Sequence, residues 1–290
     1  MKQIDRRTFI SGIGLGALAW ACARGSKRGS NQGPNALSVV ATAPMLAKGD
    51  SRMALALFRG QRAIAPKQVS VRLVPAQGQA VRVPVLRERA VKGAGGDQPP
   101  SEVFEIYVFR HAFDHGNIWQ AELTTEGDTA SAAFQVLETA PYPLVGQRAI
   151  ASLSPTVTDN RGVSPICTRT PPCSMHEVTI ADALQSAKPT VVIFGTPEFC
   201  TSRVCGPTVD IIESVKKSMG DKASFIHVEV WKNDKDAVGK TGGEAPTYAQ
   251  WKLDTDPITY FIAPDGLVED RWVGPVGERE TRQAVAKLLA

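Results

Sequence analysis

The thiols are the residues of this chain with the most chemistry available to them. Four cysteines fall in its C-terminal half, at Cys167, Cys173, Cys200 and Cys205. Only a thiolate attacks a disulfide, and a second thiol close by resolves the mixed disulfide that results. Cys200 and Cys205 are spaced for that pairing under one condition. At 3.6 residues per turn, two positions five apart on a helix point to different sides. Closing the pair therefore requires Cys200 in a turn before the helix, and Thr196-Pro197 supplies a kink there. A helix N-terminus stabilises a thiolate. Arg203 would add positive charge, which Glu198 would partly offset. The expectation is Cys200 as the attacking sulfur and Cys205 as the resolving one. The bland alternative is a fixed disulfide that pins the loop.

Cys167-Thr-Arg-Thr-Pro-Pro-Cys173 reads as a small loop closed by a structural disulfide. It could instead relay electrons to Cys200 and Cys205. Four cysteines allow three pairings, and sequence alone does not choose among them. Five intervening residues exceed the two to four of a usual zinc knuckle. His176 and His227 could complete a metal site or satisfy local hydrogen bonds, and the second is the commoner case. His111 and His115 bracket Asp114, but an i, i+4 pair meets only on a helix. Their run lies between strand patterns and reads as a loop. Neither a metal nor a cofactor is expected.

The elements that must position these groups follow from periodicity. Seven segments carry strand patterns in the first half: Leu37–Thr42, Met53–Phe58, Val69–Val74, Val81–Val85, Val103–Phe109, Ile118–Leu123 and Ala130–Leu137. Gly, Pro and Asp clusters separate them, as a seven-stranded immunoglobulin-like sandwich requires. In the second half a helical pattern covers Val178–Ser186. Thr190-Val-Val-Ile-Phe194 then forms a continuous apolar run, expected of a strand covered on both faces. After the cysteine-bearing turn, Val209, Ile212, Val215 and Met219 share one helix face. Ala223–Val230 reads as a strand, followed by a long polar connection. Ile258–Ile262, the turn at Pro264-Asp-Gly266, and Leu267–Val273 read as a hairpin before a last helix over Glu278–Leu289.

This β-α-β-β-β-α order with cysteine at a strand-to-helix turn resembles the thioredoxin fold. Phe194 and Pro207 stand where thioredoxins place the last aromatic of the strand and the proline inside the first active-site helix. Asp256-Pro257, just before the strand Ile258–Ile262, matches the position of the family's cis-proline, so the resemblance implies a cis bond and a place for Pro257 beside the reactive sulfur. The motif departs from the family: Cys200-x4-Cys205 replaces Cys-x-x-Cys, and Cys205-Gly-Pro-Thr208 lacks a second cysteine. Gly116–Leu123 and Thr129–Val136 resemble the closing strands of bacterial immunoglobulin-like accessory domains.

The N-terminus reads as an address. Arg6-Arg7 with Phe9, then the apolar stretch Ile10–Ala21, resembles a twin-arginine export signal. Leu18-Ala-Trp-Ala-Cys22 resembles a lipoprotein box despite the bulky Trp20, and lipidated Cys22 would anchor the chain to a membrane. Expected organisation is an export signal at 1–21, a flexible linker at 22–35, the immunoglobulin-like β-sandwich at 36–140 and the thioredoxin-like α/β domain at 141–290. At 43% hydrophobic and 21% charged the composition is globular, and a net charge of +4 over 290 residues is too small to argue for nucleic-acid binding. The function expected is an exported thiol–disulfide oxidoreductase, periplasmic or at the cell surface. Its partners would be disulfide-bearing proteins or small thiols. Alternatives are a redox-inert binding or assembly module, and a copper metallochaperone using Cys200, Cys205 and a histidine.

Overall fold

Alternation of apolar and polar residues decides which faces are buried in the first half. Val71, Leu73 and Pro75 point inward from Ser70–Pro75 (β5), and Trp119, Ala121 and Leu123 from Asn117–Thr124 (β9). A computed structural model of the chain describes residues 36–60, 62–92, 102–200, 204–233 and 243–290. Arg6, Arg7, Cys22 and Arg203 lie outside the described residues.

The other strands of this half are Leu37–Ala41 (β1), Met45–Ala47 (β2), Gly49–Arg59 (β3), Arg62–Ala63 (β4), Val81–Val83 (β6), Leu86–Lys92 (β7), Glu102–Phe113 (β8) and Thr129–Leu137 (β10). They divide between two sheets. One has the order β2-β10-β9-β5-β6; the other contains β7, β8 and β3, with β1 and β4 also on β3. Inward side chains of both sheets join one buried cluster, among them Leu55, Tyr107, Phe109, Leu73, Trp119 and Phe134. Three strands escape the sequence pattern. β2 and β4 are too short to alternate, and Leu-Arg-Glu-Arg-Ala-Val-Lys of β7 is charged at positions that are nonetheless paired. His111 lies within β8, not in a loop as expected. Its ring packs edge-on against Phe113, with centroids 4.8 Å apart.

Residues 138–179 contain no helix or strand beyond an isolated bridge at Arg148. After them come Ile180–Gln185 (α1), Thr190–Phe194 (β11), Cys205–Met219 (α2), a 3-10 turn at Gly220–Lys222, Ser224–Val228 (β12), Pro246–Gln250 (α3), Ile258–Ile262 (β13), Val268–Val273 (β14) and Glu278–Leu288 (α4). β11 and β13 are buried along their whole length, which their unbroken apolar sequences require. Pro207 sits in the first turn of α2, where the missing N–H removes no helical bond. α1 is held by Thr179, whose Oγ1 accepts from the Asp182 N–H at 3.0 Å.

Strand order here is β12-β11-β13-β14, with β11 parallel to β12 and antiparallel to β13, and β13 antiparallel to β14. That order and polarity, with the helix α2 crossing between β11 and β12, is a thioredoxin-like fold. Its sheet does not stop at β14. β14 pairs in parallel with β3 through Trp272 and Arg52, so the sheet continues into the first half as β14-β3-β8-β7. Arg52 is buried at this junction and forms an ion pair with Glu280 of α4, with its guanidinium 4.8 Å from the Trp272 ring.

Candidate functional site

The end of β11 is where the chain leaves the sheet and the cysteines begin. Gly195 sits here with the Cβ of Pro257 and the Cβ of Cys205 on either side of its open face. α2 starts at Cys205, so Cys200 lies in the preceding turn, the one arrangement that lets residues five apart meet. The two are joined as a disulfide with a Cα–Cα distance of 6.0 Å. Cys205 is fully buried, whereas Cys200 is half-buried. The helix N-terminus thus carries Cys205, with Cys200 in the turn before it as the spacing requires, and its positive end acts on the inner sulfur.

A group that the sequence did not single out stands against that sulfur. Asp256 Oδ2 lies 2.9 Å from Cys205 Sγ. Burial raises the Asp256 carboxyl to about 6, while a hydrogen bond from the Thr196 backbone pulls the other way. The adjoining Asp256-Pro257 bond is cis, as the resemblance implied. Asp256 was legible only as the residue before the proline, and nothing local marked it as a proton donor or acceptor. The third ligand-type group beside Cys200 and Cys205 is therefore a carboxylate, not the imidazole that a copper carrier would use.

The other two cysteines make a different centre. Cys167 and Cys173 are two unbonded, buried thiols with their sulfurs 3.7 Å apart, where a closed disulfide was expected. Two histidines that read as incidental converge on them. His176 Nε2 is 3.2 Å from Cys173 Sγ, and His227 Nδ1 is 3.4 Å from Cys173 Sγ and 3.7 Å from Cys167 Sγ. All four side chains are buried. Hydrogen bonding to Cys173 drives the Cys167 thiol strongly downward against the effect of burial, and Cys173 moves upward through the same bond. Burial lowers His176, while His227 is raised, because its Cys167 hydrogen bond and the Glu229 charge outweigh its burial.

Short hydrogen bonds tie this cluster to the disulfide turn. His227 Nε2 donates to the Gly195 carbonyl at 2.9 Å. Thr168 donates to Glu229 from its backbone N–H at 2.6 Å and from its hydroxyl at 2.8 Å. The same hydroxyl accepts the Glu198 N–H at 3.2 Å. The 167–173 loop is in turn pinned to α2: Arg169 pairs with Asp210 at 2.6 Å, and both are buried. His115 lies beside Asp114 in the turn after β8, far in sequence from these groups.

No family model matches the chain, and no curated protein matches it. Among solved structures it is similar to a thiol:disulfide interchange protein of the thioredoxin family from Chlorobium tepidum TLS, at 16% identity and a TM-score of 0.33, over 53% of this chain and 100% of that one. It is also similar to StoA from Bacillus subtilis, at 14% identity and a TM-score of 0.27, over 34% of this chain and 82% of that one. Likenesses of that size carry no argument. The fold rests on the strand order and polarity given above.

Proposed function

We propose that the chain is a thiol–disulfide oxidoreductase whose working pair is Cys200 and Cys205. The observation that carries this reading is the disulfide between Cys200, in the turn after β11, and Cys205, buried at the start of α2 with its sulfur against the Asp256 carboxyl. In the oxidising direction an incoming thiolate attacks Cys200 Sγ. The Cys200–Cys205 bond breaks, and Cys205 leaves as a thiolate at the N-terminus of α2, taking the proton of a protonated Asp256. A second thiolate then attacks the substrate sulfur of the mixed disulfide and releases Cys200. The substrate is now a disulfide, and both cysteines are reduced. In the reverse direction Asp256, ionised, accepts the Cys205 proton as that sulfur attacks the mixed disulfide. Pro257, beside Gly195, would shape the surface on which the substrate lies. Arg203 would favour the thiolate of Cys200.

Export through the Arg6-Arg7 signal, anchoring through lipidated Cys22 and an immunoglobulin-like identity for the first half belong to the same reading. They place the pair outside the cytoplasm, where disulfide-bearing proteins and small thiols are its partners. The test is thiol exchange. Cys200→Ser should abolish disulfide reductase activity, whereas Cys205→Ser should accumulate mixed disulfides through Cys200. A wild-type protein without exchange activity, whose bond also resists reduction at potentials below about −300 mV, would carry a structural disulfide instead. The binding-module reading would then stand first.

A further inference from the structure

Four soft or borderline donors with no other common partner converge on one buried point, and that arrangement calls for a cation. We propose that Cys167, Cys173, His176 and His227 form a tetrahedral metal site of the zinc class, separate from the Cys200–Cys205 pair and independent of the redox reading.

The spacing of the donor atoms fits such an ion. Zinc bonds of roughly 2.3 Å to sulfur and 2.0–2.1 Å to nitrogen, at tetrahedral angles, put two sulfurs about 3.8 Å apart and a sulfur and a nitrogen about 3.6 Å apart. The two sulfurs are 3.7 Å apart, and three of the four sulfur–nitrogen distances are 3.7, 3.4 and 3.2 Å. All four donor atoms lie within 4.8 Å of one another. Two thiolates and two neutral imidazoles suit zinc and are a poor set for magnesium or calcium. They also cancel the charge of a divalent ion, which a buried site needs. Four protein ligands close the coordination sphere, so the ion would hold structure and carry no reacting water.

Surrounding groups orient the ligands as a metal requires. The Gly195 carbonyl can only accept, so His227 carries its proton on Nε2 and presents the Nδ1 lone pair to the sulfurs. The Cys173 backbone N–H points at Cys167 Sγ from 3.4 Å. Among the described residues nothing bonds His176 Nδ1, so its Nε2 edge, which faces Cys173, is the edge that makes its polar contact. The ion would join the 167–173 loop to β12. Through the Gly195 carbonyl and the Thr168 hydroxyl it would also tie that loop to the turn that carries Cys200.

Binding would release the thiol protons to solvent. Full-length protein isolated under reducing conditions without chelator should contain about one equivalent of zinc. Cobalt(II) should replace it with the thiolate charge-transfer absorption and visible bands of a tetrahedral ion. Cys167→Ser and His176→Ala should each weaken binding at least about tenfold. The double variant Cys200→Ser/Cys205→Ser should bind as wild type. Alkylation should spare Cys167 and Cys173 until a strong chelator is added. The cobalt spectrum and alkylation pattern of wild type stand even where a ligand variant fails to fold. The proposal is overturned if reduced wild type takes up neither ion, if the ligand variants bind as tightly as wild type, or if peptide mapping finds Cys167 and Cys173 joined in the freshly isolated chain. Thiol exchange measured on the same preparation keeps that failure distinct from failure of the redox reading.

Discussion

Asp256 is the residue through which pH should reach the disulfide. Its carboxyl titrates at about 6 in the folded chain, against an ordinary value of 3.8. The sign follows from that order. Below 3.8 the carboxyl is protonated in both states and has no effect on stability. Between 3.8 and 6 the unfolded chain ionises first, so stability falls as pH rises, and above 6 the loss is complete. A shift of this size corresponds to roughly 3 kcal/mol. Asp256→Asn keeps an acceptor for the Thr196 N–H and never has to ionise. It should therefore unfold at higher denaturant than wild type at pH 7, and the difference should shrink toward pH 4. The same variant should slow resolution of the mixed disulfide and remove the inflection near pH 6 from the exchange rate. Equal stability of the two proteins at pH 7 would mean that the carboxyl is not held against ionisation.

At the scale of elements, the turn after β14 links the site to the sheet junction. Gly274 has φ +86°, and a Cβ there would lie 2.5 Å from Thr42 Oγ1 and 2.8 Å from Thr42 Cβ. Its N–H donates to the Pro257 carbonyl at 2.9 Å. Gly274→Ala therefore combines left-handed backbone strain of about 1–2 kcal/mol with overpacking of about 1–3 kcal/mol. The expected loss is about 2–5 kcal/mol in denaturant unfolding, with slower thiol exchange because the Pro257 segment must move. A loss under about 0.5 kcal/mol would show that Thr42 yields freely. β7 teaches a related lesson about sequence patterns. Glu88 is buried there because Arg279 of α4 covers it, donating to its carboxylate from Nε at 3.0 Å. Nothing along β7 itself announces that partner, which lies 191 residues away.

Across the whole molecule, the shared sheet and shared buried cluster predict one unfolding transition. Far-ultraviolet dichroism and tryptophan fluorescence should report the same denaturant midpoint, since Trp119 and Trp251 belong to one cluster from opposite halves. Two separated midpoints would mean that the junction of β3 and β14 adds little. Arg52 is the decisive side chain there, bonded to Glu280 and to the Pro275 carbonyl at 3.0 Å. Arg52→Ala leaves a nearly buried carboxylate unpaired and should cost about 3–5 kcal/mol. Arg52→Met with Glu280→Gln should recover part of that loss, because no uncompensated charge is left behind.

Sequence alone determined what depends on neighbours in the chain. Thr190–Phe194 and Ile258–Ile262 were legible to the residue, because a strand buried on both faces must be apolar throughout. The Cys200–Cys205 pair was legible as a candidate, because five-residue spacing closes across a helix start, but four cysteines allow three pairings and the choice came from the fold. Tertiary structure decided the rest. Cys173 and His227 lie 54 residues apart and meet only because β12 returns beside β11. Asp256 meets the Cys205 sulfur only when the turn before β13 is folded onto the start of α2. Arg52 finds Glu280 across 228 residues because one sheet runs through both halves. Local propensity is written in consecutive side chains, whereas a carboxyl's pKa, a ligand set and a buried ion pair belong to distances that the chain acquires only on folding.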